Sequence, residues 1–130
     1  MILTKFILDT WAWVEYFEGS IKGEKVKHII EDQKNEIIIN IVNVSELVSV
    51  VDRKNFDSEK LLSIVFSICS VFSGDNAFSI YVGKRHAEIK SKIKDFGLLD
   101  AFILCTAEKI NAKIVTGDPH FKNMKNVIML

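Results

Sequence analysis

The chain has 130 residues with 17 basic and 17 acidic side chains, and it is 48% hydrophobic and 26% charged. This is the profile of one soluble globular domain over residues 1–130, not of a disordered or fibrous segment, and at this length about two thirds of the unfolded surface is buried without help from disulfides or a structural metal. Zero net charge excludes proteins that hold nucleic acid through bulk positive charge, but it does not exclude a nuclease.

The opening Met1-Ile2-Leu3-Thr4-Lys5-Phe6-Ile7-Leu8 is apolar, yet Lys5, Asp9 and Glu15 interrupt it before a signal-peptide core forms. No run reaches the roughly 18 apolar residues of a membrane span. Lys5–Leu8 reads as a first strand, followed by helices over Trp11–Phe17 and Gly23–Asp32 and a second strand at Glu36–Ile39. Asn43-x-x-Glu46 has capping-box spacing and opens a helix at Val44–Arg53. Asp57 serves as the N-cap of a helix over Ser58–Phe72, which Gly74 stops. A third strand is expected at Ser79–Tyr81, helices at Val82–Lys94 and Leu99–Ile110, and strands at Lys113–Thr116 and Val127–Met129. Short Ile- and Val-rich runs alternating with longer helical segments imply a three-layer α/β/α sandwich around a central, mostly parallel sheet of about five strands. Cys69 and Cys105 stand in apolar surroundings without Cys-x-x-Cys pairing, as expected of reduced thiols in a cytoplasmic protein.

The acids carry the chemical signal. Asp9 directly follows the first strand, Glu46 opens the helix after the second, and Asp118 lies just past Lys113–Thr116. Carboxyl ends of parallel strands are where such sheets bind ligands. Asp100 has no strand immediately before it, so its membership depends on the aim of its helix. Each acid also has an ordinary structural use: Asp9 as a cap, Glu46 in a capping box, Asp100 as a first-turn anion, and Asp118-Pro119 as a cap with proline at the first helical position. Ser, Thr or Asn would cap equally well without gathering charge, so the four together point elsewhere. Two carboxylates about 5 Å apart repel by roughly 3 kcal/mol at an effective dielectric near 20. A divalent cation removes that repulsion. All-oxygen ligation selects Mg²⁺ or Mn²⁺ over zinc, and an ion with few protein ligands can activate water and stabilise the leaving oxygen in phosphodiester cleavage.

The segments Ile7-Leu8-Asp9-Thr10-Trp11-Ala12-Trp13-Val14-Glu15-Tyr16-Phe17, Val44-Ser45-Glu46-Leu47, Gly97-Leu98-Leu99-Asp100-Ala101-Phe102-Ile103-Leu104 and Ile114-Val115-Thr116-Gly117-Asp118-Pro119-His120-Phe121 resemble the PIN-domain nucleases, in order and spacing over nearly the whole chain. Within that family, the length and the Asp9-to-Phe17 opening look most like the VapC toxins of prokaryotic toxin-antitoxin pairs. The resemblance implies a PIN-like fold, Mg²⁺- or Mn²⁺-dependent endoribonuclease activity, a homodimer and inhibition by a small antitoxin. It also makes Asp9, Glu46 and Asp100 the principal catalytic and metal-site acids, with Asp118 completing the cluster directly or through water. Thr116 matches the family's small hydroxyl near the metal, and Thr10 is a second supporting hydroxyl. Phe56 to Phe96 carries no family motif and leaves target choice open.

Other features admit two readings. Lys84, Arg85 and Lys90 lie in a segment with five bases and one acid, either an RNA-facing rail or a solvated helix face. His120 is either a proton shuttle or a surface histidine beside Phe121. Trp11, Trp13, Tyr16 and Phe17 could stack on a base, though their helical spacing favours burial. The Leu61–Phe72 run suits a core, a dimer seam or an antitoxin groove. Competing functions are an RNA-processing nuclease without an antitoxin, a non-catalytic RNA- or protein-binding module, and a receiver-like domain. The last lacks an acidic pair after the first strand. A haloacid-dehalogenase-like phosphatase needs a second Asp at the position held by Trp11.

Overall fold

The computed structural model describes residues 2–130. Five strands, β1 (Thr4–Leu8), β2 (Asn35–Asn40), β3 (Cys69–Phe72), β4 (Lys113–Thr116) and β5 (Val127–Met129), form one sheet in the order β3-β2-β1-β4-β5, with every neighbouring pair parallel. The helices are α1 (Thr10–Glu18), α2 (Ile21–Glu31), α3 (Ile41–Arg53), α4 (Ser58–Ile68), α5 (Asn76–Lys90) and α6 (Leu98–Ile110).

The alternation of strand side chains sorts the interior into two layers. Phe6, Leu8, Ile37, Ile39 and Val115 pack with Trp13, Val26, Leu47 and Val65 from α1 to α4. Ile7, Ile38 and Ile114 point the other way, against Phe78 and Val82 of α5 and Ile103 and Leu104 of α6. A sheet covered on both faces needs apolar residues at consecutive positions, which is why β1 and β2 read as unbroken greasy runs. Among the described residues no helix is long and apolar enough to cross a membrane. Both cysteines are free thiols, and burial pushes Cys69 up to about 12 and Cys105 up to about 11.

The third strand is not where the sequence pattern places it. Ser79–Tyr81 lies within α5, because the Asp75 carboxylate caps that helix at Phe78 N (2.8 Å), and Phe78 and Val82, four residues apart, are buried on its inner side. The strand is instead Cys69–Phe72, so the helix expected to run to Phe72 ends at Ile68, before Gly74 is reached. Its edge position leaves Val71 half exposed, and it lacks the continuous apolar signature of the inner strands. A second correction concerns the cap of α3. The helix starts at Ile41, where Asn40 Oδ1 accepts from Val42 N (2.8 Å), and Asn43 lies inside it rather than at its mouth. Asp57 does cap α4, accepting from Lys60 N at 3.2 Å.

The approach of α2 to α1 depends on a glycine. A Cβ at Gly23 would lie 2.0 Å from the Glu15 carbonyl oxygen, a backbone atom that cannot swing aside. Gly23→Ala should therefore destabilise the fold by about 1–3 kcal/mol, the usual range for overpacking, measured as a lowered midpoint in urea unfolding.

Candidate active site

β1 and β4 are the neighbours between which the strand order reverses, and each releases an acid at its carboxyl end: Asp9 directly after β1, Asp118 two residues after β4. A crevice opens at such a switch point. Glu46 enters from the second turn of α3 and Asp100 from the first turn of α6.

Asp9 is 4% exposed. Its Oδ1 accepts from Ala12 N–H at 2.7 Å, capping α1, while Oδ2 accepts from the Thr116 hydroxyl. The Thr116 oxygen in turn accepts the Asp118 N–H at 2.9 Å, so one buried hydroxyl links both acid-bearing turns. The Thr10 hydroxyl donates to Glu46 Oε1 and joins α1 to α3 at the same end of the sheet. Asp118 Oδ1 accepts from His120 N at 2.9 Å at the start of the 3-10 turn Pro119–Phe121. The structural uses foreseen for Asp9 and Asp118 are thus real, and each leaves carboxylate capacity to spare. Glu46 is not in a capping box, while Asp100 Oδ2 accepts from Gly97 N–H at 3.3 Å.

Charge reaches from one acid to the next, Asp9 sensing Asp118 and Asp100, and Asp100 sensing Asp118 and Glu46. Burial raises the Asp9 carboxyl from 3.8 to about 6, the Thr116 and Ala12 hydrogen bonds oppose the rise, and Asp118 and Asp100 add to it. Asp100 is raised chiefly by burial, opposed by the Gly97 N–H, and pushed further by Asp118 and Glu46, with His120 acting in the other direction. Asp100, Asp118 and His120 each offer a ligand atom, all within 4.8 Å of one another. His120 Nδ1 stands 3.2 Å from Asp118 Oδ1, off the hydrogen-bonding axis, and is buried without a hydrogen-bond partner among the described residues. Its ring meets Phe96 edge-on at 6.4 Å.

Sequence reasoning missed the polar clamp behind this cluster. Asn40 Nδ2 donates to Thr106 Oγ1 (2.9 Å), Thr106 donates to Phe102 O (2.6 Å), and Asn43 Nδ2 donates to Leu99 O (3.1 Å). These bonds fasten the start of α3 to α6 and bring Glu46 and Asp100 into one field. The available signal was an asparagine closing an isoleucine-rich strand, a polar residue at a position the sheet buries.

The basic candidates lie elsewhere. Arg85 Nη2 is 2.8 Å from Glu108 Oε2, and Lys90 Nζ donates to Lys94 O at 2.9 Å. Arg85 lines a recess of about 700 Å³ together with Asn111, Ala112 and Asn126, which precede β4 and β5, so it faces the amino edge of the sheet. Lys84 is exposed on the same helix. Of the aromatic group, Trp13 is 1% exposed, Tyr16 and Phe17 are half-buried against it, and Trp11 is 54% exposed.

The sequence matches the family model described as PIN domain over residues 6–127. No curated protein sequence matches it. Among solved structures the fold is similar to a chain of VapBC2 from Rickettsia felis bound to a DNA fragment of its promoter (TM-score 0.72, 22% identity, 98% of each chain covered). It is similar also to Mycobacterium tuberculosis VapC20, a sarcin-ricin loop cleaving toxin (TM-score 0.72, 12% identity, 94% of this chain and 96% of that one). A third neighbour is a chain of DNA-bound VapBC from Salmonella typhimurium (TM-score 0.68, 21% identity, 98% of each chain).

Two outcomes are expected of the site. A carboxyl whose folded-state value is raised favours the native state below its unfolded value, and that advantage disappears as pH rises through the folded value. In the presence of chelator, wild-type stability relative to Asp9→Asn should therefore fall by on the order of 2 kcal/mol between pH 4 and pH 7, read from paired urea titrations. Thr116→Val, which keeps the shape but removes the hydroxyl, should cost ~1–3 kcal/mol in thermal unfolding, because Asp9 Oδ2 and the Asp118 N–H both lose their partner.

Proposed function

Because the chain belongs to the PIN-domain family, we propose that it is a divalent-metal-dependent endoribonuclease, the toxin of a toxin-antitoxin pair, acting as a homodimer that a small antitoxin holds in check. One arrangement supports the reading: Asp100, Asp118 and His120 offer ligand atoms within 4.8 Å of one another, Thr116 links Asp118 to Asp9, and Thr10 links the start of α1 to Glu46. The antitoxin and the RNA substrate are inferred from what the VapBC and VapC20 neighbours are described as doing.

The residues present fit a hard cation. Of the donors within reach of one another, two are carboxylates and one an imidazole, with no thiolate, and Asp9 raises the local negative charge that a bound cation would relieve. Among the described residues His120 Nδ1, 3.2 Å from Asp118 Oδ1, and Asn43 Oδ1, one helical turn before Glu46, are buried without a hydrogen bond, which leaves polar capacity at this edge. Asp9, Glu46 and Asp100 would hold Mg²⁺ or Mn²⁺, with Asp118 completing the set and His120 beside it. Such an ion, when bound, lowers the pKa of water and offsets charge on phosphoryl oxygens.

The chain's own groups do the rest. Thr116 and Thr10 fix the orientation of the Asp9 and Glu46 carboxylates, so the donor set need not be ordered when substrate arrives. The amino ends of α1 and α6 lie at the acid cluster and present a partial positive field to a phosphodiester. Direct attack by water then hydrolyses the phosphodiester, and no covalent enzyme intermediate is required.

The test is RNA cleavage with Mg²⁺, with Mn²⁺ and with chelator. Wild-type protein should cleave only with metal, and Asp9→Asn and Asp100→Asn should each lower kcat on the order of 10²- to 10³-fold while keeping the native circular dichroism spectrum. Cleavage that survives chelation, or survives both substitutions, would overturn the reading.

A further inference from the structure

One large aromatic side chain near the acid-bearing edge stands on the outer face of its helix, in line with Glu15 and Glu18. α1 buries Thr10, Ala12, Trp13 and Val14, while Trp11 remains 54% exposed in the middle of that run. It lines a recess of about 310 Å³ with Lys22, Gly117, Asp118, Pro119 and Leu130. The recess therefore shares a wall with the acid cluster, through Asp118 and the turn that carries it. Its remaining lining residue, Glu15, has its carboxylate engaged by the Ser20 hydroxyl. Lys54 Nζ stands 5.7 Å from the centre of the Trp11 ring while also meeting Glu18 Oε1 at 3.4 Å, and Lys22 makes no ion pair among the described residues.

An exposed indole, apolar walls and two ammonium groups beside a phosphodiester-cleaving centre match what an unstacked nucleotide presents: a flat π-face and a charged backbone. We propose that Trp11 and this recess take the base of a single-stranded nucleotide flanking the scissile phosphate, with Lys22 and Lys54 facing its backbone; this rests on the endoribonuclease reading above. Trp11 is then a substrate-binding residue. It contributes to affinity through stacking, which any base can supply, so the recess selects for unpaired RNA rather than for one sequence.

Two measurements test it. In metal-dependent cleavage of single-stranded RNA, Trp11→Ala should raise KM roughly 5- to 150-fold with kcat nearly unchanged, and Trp11→Phe, which keeps a ring, should recover most of the loss. Independently of turnover, the intrinsic fluorescence of the Asp100→Asn protein should be quenched by a single-stranded RNA oligonucleotide in Mg²⁺ and much less by the same sequence in duplex. The chain has only two tryptophans and Trp13 is buried, so the quench should disappear in the Asp100→Asn, Trp11→Phe double variant. An unchanged KM in Trp11→Ala, with wild type active, would overturn the proposal and leave the nuclease standing. If wild type cleaves no RNA with either metal, the nuclease reading fails and the fluorescence decides alone: absent or equal quenching by strand and duplex rejects the stacking site. A Trp11→Ala protein with unchanged KM that merely escapes an inhibitory protein would assign Trp11 to a protein interface instead and would also reject it.

Discussion

Like charges do not gather unless something holds them, and here the holding is done by a parallel sheet whose strand order reverses between β1 and β4. The apolar layers on both faces fix the strands, the strands fix Asp9 and the turn after Thr116, and a buried hydroxyl shared between Asp9 and the Asp118 amide keeps the two from separating. The cost shows in the carboxyl of Asp9, raised first by burial and further by Asp118 and Asp100. A fold optimised only for its own stability would put a threonine or an asparagine there. Aspartate there costs stability, which the hydrophobic layers supply without it.

Two of the four acids arrive from helices, and their placement follows a different logic. α3 and α6 come from opposite layers and meet near the sheet's edge, where neither hydrophobic layer reaches. Polar side chains do the joining: Asn40 to Thr106, and Asn43 to the carbonyl before Asp100. Directional bonds suit this role, since apolar contact tolerates sliding while a buried amide without its acceptor does not. The positions of Glu46 and Asp100 are therefore as constrained as those of the strand-borne acids.

Much of this was legible in the residues. Buried parallel strands announce themselves as continuous Ile and Val runs, so β1, β2, β4 and β5 and the acids that follow them could be placed from sequence. β3 could not. As an edge strand it is short and partly exposed, and it carries Cys69 and Ser70 among its four residues, so it looks like the tail of the helix before it. Ser79–Tyr81 erred in the opposite sense, because β-branched and aromatic residues favour a strand locally while a cap at Asp75 and the spacing of Phe78 and Val82 make a helix. Asn43 was mistaken for a cap because capping boxes are read by spacing, and Asn40, three residues earlier, was hidden inside a strand. Treating Trp11 and Trp13 alike was the further miss: two residues apart on a helix they face opposite sides, so burial of Trp13 leaves Trp11 exposed.

The alternation of Phe6, Ile7 and Leu8 between the two apolar layers has an evolutionary corollary. Sliding β1 by a single position would turn each of these side chains into the wrong layer and carry Asp9 out of line with Thr116, so the packing and the arrangement of the acids would be lost in the same step. Drift of the acids along their strands is thereby closed as a route to new specificity. Descendants of such a sequence are left to diversify in what surrounds the sheet's edge, in the helices and turns that border it, while the spacing of the charges themselves is inherited intact.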